Sequence, residues 1–127
     1  MQTGVIFFDI DHFKKVNDVY GHETGGNVLI KIASIVKKYT RDNDKIIRWG
    51  GEEFLFICEV DKMKSLVQIA EHLCSVIAKA HHESVGQVTC SFGCALHNNE
   101  APILTTIKYA DEKLYIAKNT GRNRVES

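Results

Sequence analysis

Two pairs of neighbouring carboxylates could do chemistry in this sequence. Glu52 and Glu53 follow a Gly-Gly pair in "RWGGEEF", and Asp9 and Asp11 end the apolar run "GVIFFDID". Acids that meet at the edge of a core repel one another, and their pKa values rise. A hard divalent cation relieves that repulsion, and Mg²⁺ typically binds one or two carboxylates together with substrate phosphates. The alternative for these acids is a solvated acidic rim without a bound ion.

Basic and amide side chains follow both acidic segments. "DHFKKVNDVYGHETGG" places Lys14, Asn17 and His22 after the first apolar run, where backbone N–H groups at a helix start can form an anion site. "AKNTGRNR" adds Lys118 and Arg122. Taken singly, these residues fit a solvated lysine, a capping asparagine and a basic helix end. Taken with the acids, they favour metal-assisted phosphoryl chemistry on a nucleotide.

Hydrophobic periodicity predicts the elements that position these groups. Strands are predicted at "GVIFFDID", "KIIRW", "EFLFICEV" and "QVTCSFGCAL", with an edge strand at "RNRVE". Helices are predicted over residues 28–39, 66–80 and 103–117. The Gly-Gly pair predicts a two-residue type I′ turn between the second and third strands, with positive φ at both glycines.

The order of these elements predicts a single α+β domain over residues 1–127. It reads β-α-β-β-α-β, then a helix and a strand, which is the ferredoxin-like split-βαβ pattern with a C-terminal addition. In that topology the end of the first strand lies near the tip of the hairpin. Asp9 and Asp11 are expected on one face of the first strand. Three or four carboxylates, from these two and from Glu52 and Glu53, are therefore expected to converge.

Composition narrows the classes of function. Sixteen basic residues balance sixteen acidic ones, so nothing indicates bulk attraction to nucleic acid or to an anionic membrane. No apolar run approaches the roughly 20 residues that cross a bilayer, and no signal peptide is evident. The four cysteines lie in apolar runs without metal-ligand spacing. We expect reduced structural thiols in a cytoplasmic protein.

Four motifs in this order resemble those of the GGDEF family, the diguanylate cyclases. They are "FFDIDHFKKVNDVYGH", "RWGGEEF", "VTCSFGCAL" and "YADEKLYIAKNTGRNRV", and together they span nearly the whole chain. The resemblance implies a ferredoxin-like palm similar to nucleotide cyclase and polymerase palms. It also implies condensation of two GTP molecules into cyclic di-GMP with release of pyrophosphate. Two domains would meet face to face as a homodimer, each presenting one GTP.

The resemblance assigns roles by position. Glu52 would act as general base on the ribose 3′-hydroxyl and would bind Mg²⁺ or Mn²⁺ together with Asp9 and the Ile10 carbonyl. Glu53 fills the second acidic place of the signature and would support metal binding. The remaining carried-over roles are neutralisation of the triphosphate by Lys14, Lys118 and Arg122, and substrate contacts by Asn17 and His22.

The sequence departs from the family pattern in two places: at the residue expected to recognise the guanine base, and at the start of the chain. The family usually reads "GHxxGD", with an aspartate that accepts hydrogen bonds from the guanine edge, whereas "GHETGG" places Gly26 there. Losing that acceptor predicts a weaker preference for guanine over adenine. The helix and "DxLTxLxNR"-like segment that usually precede the first strand are expected to be missing from residues 1–127.

The segment "RDND", Arg41 to Asp44, matches the family's RxxD inhibitory site for cyclic di-GMP. Arg41 could form a bidentate contact with a phosphate or stack on guanine, while Asp44 could accept from the guanine edge. The alternative is a polar helix-to-strand loop. Two other functions also remain open: a catalytically weak module that senses GTP or cyclic di-GMP, and a structural dimerisation domain.

Overall fold

The computed structural model describes all 127 residues as one five-stranded sheet with four helices. The elements are β1 (Gln2–Ile10), α1 (Phe13–Tyr20), α2 (His22–Lys38), β2 (Lys45–Arg48), β3 (Glu53–Val60), α3 (Met63–Lys79), β4 (Cys90–Leu96), α4 (Ile103–Asn119) and β5 (Val125–Glu126). The predicted ferredoxin-like order, with its C-terminal helix and strand, is confirmed. None of the helices combines the length and the hydropathy that a bilayer span requires.

The sheet places β1 at its centre. The strand order is β2-β3-β1-β4-β5, in which the first four strands run antiparallel to their neighbours and β5 runs parallel to β4. In the β1–β3 pairing, Asp9 lies directly opposite Glu53. The C-terminal end of β1 and the tip of the β2–β3 hairpin therefore adjoin, as the sequence predicted.

Helices cover the two faces of the sheet unequally. On one face, side chains from α1, α2 and α3 pack with the larger core, where Phe8 stacks between Phe54 and Phe92 at ring-centroid distances of 5.3 and 4.9 Å. On the other face, α4 packs over a smaller core that includes Phe7 and Leu55. Because both faces are covered, β1 is buried from Gly4 to Ile10. The four cysteines are buried free thiols, as expected.

The first crossover contains two helices where the sequence predicted one. The predicted helix over residues 28–39 begins earlier, at His22, and α1 precedes it. Gly21 separates them with φ of 91°, a left-handed conformation that ends α1 at little cost for glycine. The segment that carries Lys14 and Asn17 is consequently a helix, separated from β1 by two residues.

The predicted type I′ turn at Gly50 and Gly51 is wrong. Neither glycine has a positive φ, and the strands are joined by the longer loop Trp49–Glu52. The amides of Trp49 and Gly50 both donate to the Glu53 carbonyl oxygen, and the Arg48 guanidinium donates to the Gly51 carbonyl oxygen. These bonds fix a wider tip than two residues allow, which gives Glu52 a place in the loop and not in the strand.

A substitution at Gly93 tests how closely β4 packs against α4. A Cβ atom at this position would overlap the backbone of Ala110 and Leu114, which cannot move without shifting the helix. We expect Gly93→Ala to lower the free energy of unfolding by about 3 kcal/mol, the upper range for overpacking. Gly26→Ala is the matched control, because a Cβ there meets nothing within 4 Å. Urea unfolding followed by circular dichroism measures both, and equal midpoints would contradict the close helix–sheet contact.

Candidate active site

Asp9 is a buried carboxylate at the end of β1, with 2% of its surface exposed. Its side chain forms an ion pair with Lys118 of α4, while its Oδ1 atom has no hydrogen-bond partner. Burial raises the pKa of Asp9 to about 6; Lys118 opposes this rise, and the charges of Glu52 and Asp11 add to it. One lysine thus fails to compensate the desolvated carboxylate fully, so a further cation beside Asp9 would be stabilising.

Glu52 and Glu53 lie at the hairpin tip next to Asp9. Glu53 begins β3 and is directly opposite Asp9, so the two side chains are on the same face of the sheet. Glu53 also lies against Gly50, where a Cβ atom would be only 2.8 Å from its Oε1 atom. Glu52 is half-buried in the loop, and its charge contributes to the raised pKa of Asp9. Asp9 and Glu52 therefore lie within electrostatic reach of each other.

The donors at this place fit a hard cation. Asp9 and Glu52 supply carboxylate oxygens, and the Ile10 backbone supplies a carbonyl oxygen next to them; all three are the oxygen ligands that Mg²⁺ prefers. The Oδ1 atom of Asp9 has no hydrogen-bond partner within the protein, so it is available as a ligand. No cluster of three or more acidic, histidine or cysteine side chains is arranged to hold a metal. Mg²⁺ binding through two side chains and a carbonyl stays a prediction.

Asp11 meets the prediction of three or four convergent carboxylates only in part. Its charge raises the pKa of Asp9, but its oxygens are not free to bind an ion. Its Oδ1 atom accepts from the Ser91 hydroxyl at 2.6 Å, and its Oδ2 atom accepts from the Thr89 hydroxyl at 2.6 Å and the Asn123 amide at 3.0 Å. Both oxygens of this buried carboxylate are therefore used within the protein. Asp11 lies in the turn after β1, and its donors are the Thr89 and Ser91 hydroxyls and the Asn123 amide.

The α1–α2 corner holds the predicted substrate-contact residues. Lys14 lies exposed in the first turn of α1, whose free amides have no side-chain cap, and His22 begins α2. Asn17 packs on Gly25 so closely that a Cβ atom there would overlap its Oδ1 atom, which has no hydrogen-bond partner. Gly26 is different, because the space around it is open. The contacts of Lys14, Asn17 and His22 with a substrate stay predictions.

Lys118 and Arg122 flank the C-terminal end of α4. Lys118 lies in the last helical turn and is paired with Asp9, so its ammonium group is beside the carboxylate that the sequence assigned to the metal. Arg122 is exposed, and its amide donates to the Ala117 carbonyl oxygen at 2.9 Å. The structure thus brings one of these two cations to the acidic site, while the predicted contact of both with phosphate stays a prediction.

Comparison with known proteins decides the family. The family profile described as "Diguanylate cyclase, GGDEF domain" matches residues 1–124. The chain belongs to the GGDEF family. Diguanylate cyclase DgcM of Escherichia coli (strain K12) is 36% identical over 121 residues, which are 95% of this chain and 30% of DgcM. Diguanylate cyclase VdcA of Vibrio cholerae is 38% identical over 130 residues, which are 98% of this chain and 38% of VdcA. The chain thus spans about a third of these relatives.

Solved structures of GGDEF domains share the fold of this one. The GGDEF domain of DgcB from Caulobacter crescentus in complex with c-di-GMP matches with a TM-score of 0.92 and 30% identity, over 98% of this chain and 77% of that one. The active GGEEF domain of a diguanylate cyclase from Vibrio cholerae matches with a TM-score of 0.91 and 30% identity, over 99% and 82% of the two chains. The palm inferred from the sequence is therefore the GGDEF fold.

The "RDND" segment of this GGDEF domain forms a closed turn away from the acidic site. The Asp44 amide donates to the Arg41 carbonyl oxygen at 3.0 Å, and the Arg41 amide donates to the Asp44 carboxylate at 2.9 Å. The Arg41 side chain is 65% exposed, whereas that of Asp44 is 4% exposed. Because β2 runs between this turn and the hairpin tip, the two predicted sites lie at opposite ends of one strand.

Sequence reasoning missed four residues that shape the site. Arg48 holds the signature loop through the Gly51 carbonyl oxygen, and the basic residue before the glycines was a usable signal. Thr89 and Ser91 were visible as polar residues alternating in an apolar segment, and both donate to Asp11. Asn123 gave no local signal, because its contact with Asp11 joins residues 112 positions apart.

Proposed function

We propose that this GGDEF domain condenses two GTP molecules into cyclic di-GMP and releases pyrophosphate, using Mg²⁺ or Mn²⁺. The observation that carries the proposal is the buried Asp9 carboxylate, whose Oδ1 atom lacks a partner beside the Glu52 loop. Membership of the family and the names of the relatives support the same activity. We further propose that the domain acts in the cytoplasm.

The reaction forms one phosphodiester bond for each pyrophosphate released. The ribose 3′-oxygen of one GTP attacks the α-phosphorus of the other, the bond to the β-phosphate oxygen breaks, and a second, reciprocal transfer closes the ring. Glu52 lies half-buried at the open hairpin tip and takes the proton of the 3′-hydroxyl. Asp9, Glu52 and the Ile10 carbonyl would hold Mg²⁺, which would supply Lewis-acid polarisation of the phosphate oxygens. Glu53 supports that ligand set from the opposite strand.

Cations and the base-contact corner orient the nucleotide. Lys14 at the start of α1 and the two basic residues at the end of α4, Lys118 and Arg122, neutralise the triphosphate and the charge that develops on the α-phosphate. Asn17 and His22 contact the substrate from the α1–α2 corner. Each domain holds one GTP, so two copies must meet face to face, and the catalytic species is a homodimer.

A second candidate function is favoured by the closed "RDND" turn. Asp44 is buried and ordered by Arg41, while the guanidinium remains exposed enough to meet a phosphate. A GGDEF domain with weak turnover would use this place to bind cyclic di-GMP as a regulatory module. The structure of DgcB from Caulobacter crescentus in complex with c-di-GMP supports binding of this nucleotide within the family.

Product analysis separates the two functions. We expect incubation of the purified protein with Mg²⁺ and GTP to give cyclic di-GMP and pyrophosphate, identified by mass. Parallel reactions contain ATP or both nucleotides, and chelation of the metal with EDTA serves as the control. Binding of cyclic di-GMP without any cyclic product from GTP would replace the enzyme proposal with the regulatory one.

Arg41→Ala tests the inhibitory site. The guanidinium contacts Asp44 at 3.5 Å and the Glu59 carbonyl oxygen at 3.4 Å, and the exposed remainder can bind a phosphate. We expect at least a tenfold loss of cyclic di-GMP affinity by calorimetry, because a charge-assisted contact of about 1.4 kcal/mol or more disappears. Turnover at low product concentration is expected to stay unchanged. Lys38→Ala, which removes an exposed cation three residues earlier, is the control; equal affinity in wild type and Arg41→Ala would show that "RDND" is only a loop.

A further inference from the structure

The Asp11 carboxylate connects three separate parts of the chain. Residue 11 directly follows the end of β1. Its hydroxyl donors are Thr89, just before β4, and Ser91 within β4, and its amide donor is Asn123 after α4. Asp11 is only 6% exposed. A buried charge without a cationic partner is tolerated when several donors solvate it, and three donors do so here.

The hydrogen bond from the Asn123 amide to Asp11 fixes a loop whose backbone conformation is otherwise unfavourable. Residues 120–124, here called the C-terminal loop, carry Arg122 with φ of 60° and Asn123 with φ of 47°. Two consecutive non-glycine residues in the left-handed region are costly, and a long side chain such as that of Arg122 gains no local compensation there. The Arg122 amide bonds back to Ala117, and the next amide, that of Asn123, bonds to Asp11. The C-terminal loop is thus held at two successive residues.

We propose that Asp11 is a positioning residue that sets the location of Arg122 relative to the acidic site. The inference rests on the proposed function, in which Arg122 binds the triphosphate. Asp11 is covalently next to Ile10, whose carbonyl belongs to the expected metal ligands, and it is hydrogen-bonded to the residue next to Arg122. One side chain therefore holds the metal-binding end of β1 and the phosphate-binding loop in a fixed relation.

Two further contacts hold the same loop and make it a single unit. The Cys74 thiol of α3 donates to the Asn123 side-chain oxygen at 3.4 Å, and the Phe92 amide of β4 donates to the Arg124 carbonyl oxygen at 2.9 Å. Neither contact reaches β1. Asp11, directly after β1, is the residue that links this loop to the end of that strand, so its loss would leave the loop held by α3 and β4 alone, with no fixed position relative to β1.

Asp11→Asn tests the proposal with almost no change in volume. In Asp11 one carboxylate oxygen accepts from Ser91 and the other accepts from Thr89 and Asn123. An asparagine side chain has only one acceptor oxygen, so it cannot replace both. We expect hydrogen exchange of the Asn123 amide to become about tenfold faster. GTP affinity, measured with Mg²⁺ by NMR titration, is expected to fall about tenfold, whereas guanosine affinity stays unchanged because it lacks phosphates. Asp111→Asn, the same change at an exposed carboxylate of α4, is the matched control.

Several outcomes would overturn the proposal. Unchanged Asn123 exchange, or an equal loss of GTP and guanosine affinity, would show that Asp11 supports the fold without positioning Arg122. Should Asp11→Asn fail to fold, Ser91→Ala removes one of the three donors and is expected to give the same two changes at about threefold; no change in it would also contradict the proposal. A wild-type protein that does not bind GTP contradicts the proposed function instead, and Asn123 exchange then decides the role of Asp11 alone.

Discussion

Glu52→Gln is expected to remove cyclic di-GMP formation while leaving the fold intact. Glutamine keeps the size of the side chain but can neither take a proton from the ribose 3′-hydroxyl nor offer a charged oxygen to Mg²⁺. Loss of general-base catalysis alone costs about 10²- to 10⁴-fold in rate, and loss of a metal ligand adds to that. Because Glu52 is half-buried in a loop outside the hydrophobic core, we expect no measurable loss of stability.

Initial rates with saturating GTP and Mg²⁺ measure the effect of this change. Glu71→Gln, the same substitution at an exposed position of α3, controls for the loss of one negative charge. Calorimetry with Mg²⁺ and a non-hydrolysable GTP analogue adds a second readout, in which metal binding and nucleotide binding lose their mutual enhancement. Turnover in Glu52→Gln equal to that of the wild type would remove Glu52 from the catalytic site.

Gly26→Asp is expected to restore discrimination between purines. A carboxylate facing guanine accepts from its N1–H and amino groups and repels the N1 acceptor of adenine, whereas glycine does neither. We therefore expect the ratio of GTP to ATP affinity to rise about ten- to a hundredfold, which corresponds to about 1.4–2.7 kcal/mol. A Cβ atom at Gly26 meets nothing within 4 Å, so the variant is expected to fold. We expect Asn17 to retain part of the preference for guanine in the wild type.

Competition between GTP and ATP for the wild type, Gly26→Asp and Gly26→Ala measures this ratio. Gly26→Ala separates the effect of the carboxylate from the gain in helix propensity, which is about 1 kcal/mol for replacing a helical glycine. Its GTP to ATP ratio is expected to match that of the wild type. Discrimination in the wild type as sharp as in Gly26→Asp would place base recognition at another residue.

The elements of the fold were predictable because their signals are local. Apolar residues at helical spacing identified α3 and α4, and the short apolar runs before and after the Gly-Gly pair identified β2 and β3. The order of elements then left the ferredoxin-like arrangement as the expected topology, and it brought Asp9 to Glu53 across two strands. Sequence motifs identified the family for the same reason, because their order and spacing can be recognised without knowing which side chains contact one another.

Local sequence signals failed to predict the structure where the same residues are compatible with two conformations. A Gly-Gly pair permits a type I′ turn, but the Arg48 guanidinium and the Glu53 carbonyl stabilise a longer loop. Gly21 divides the first crossover into two helices, and polar residues throughout α1 hid its short apolar stripe. Several hydrogen bonds decided the hairpin tip, and one backbone angle decided the crossover. Neither follows from the residue types alone.

The sequence by itself determined which residues are available for chemistry: carboxylates at the end of β1 and at the hairpin tip, and cations after β1 and at the end of α4. Only the tertiary structure decided how they are used. Asp9 is paired with Lys118 and Asp11 is satisfied by two hydroxyls and the Asn123 amide, although the two acids stand two residues apart. The physical reason is that a buried carboxylate takes whichever donors the packing of distant strands and helices brings to it, and those partners come from 78 to 112 positions away along the chain.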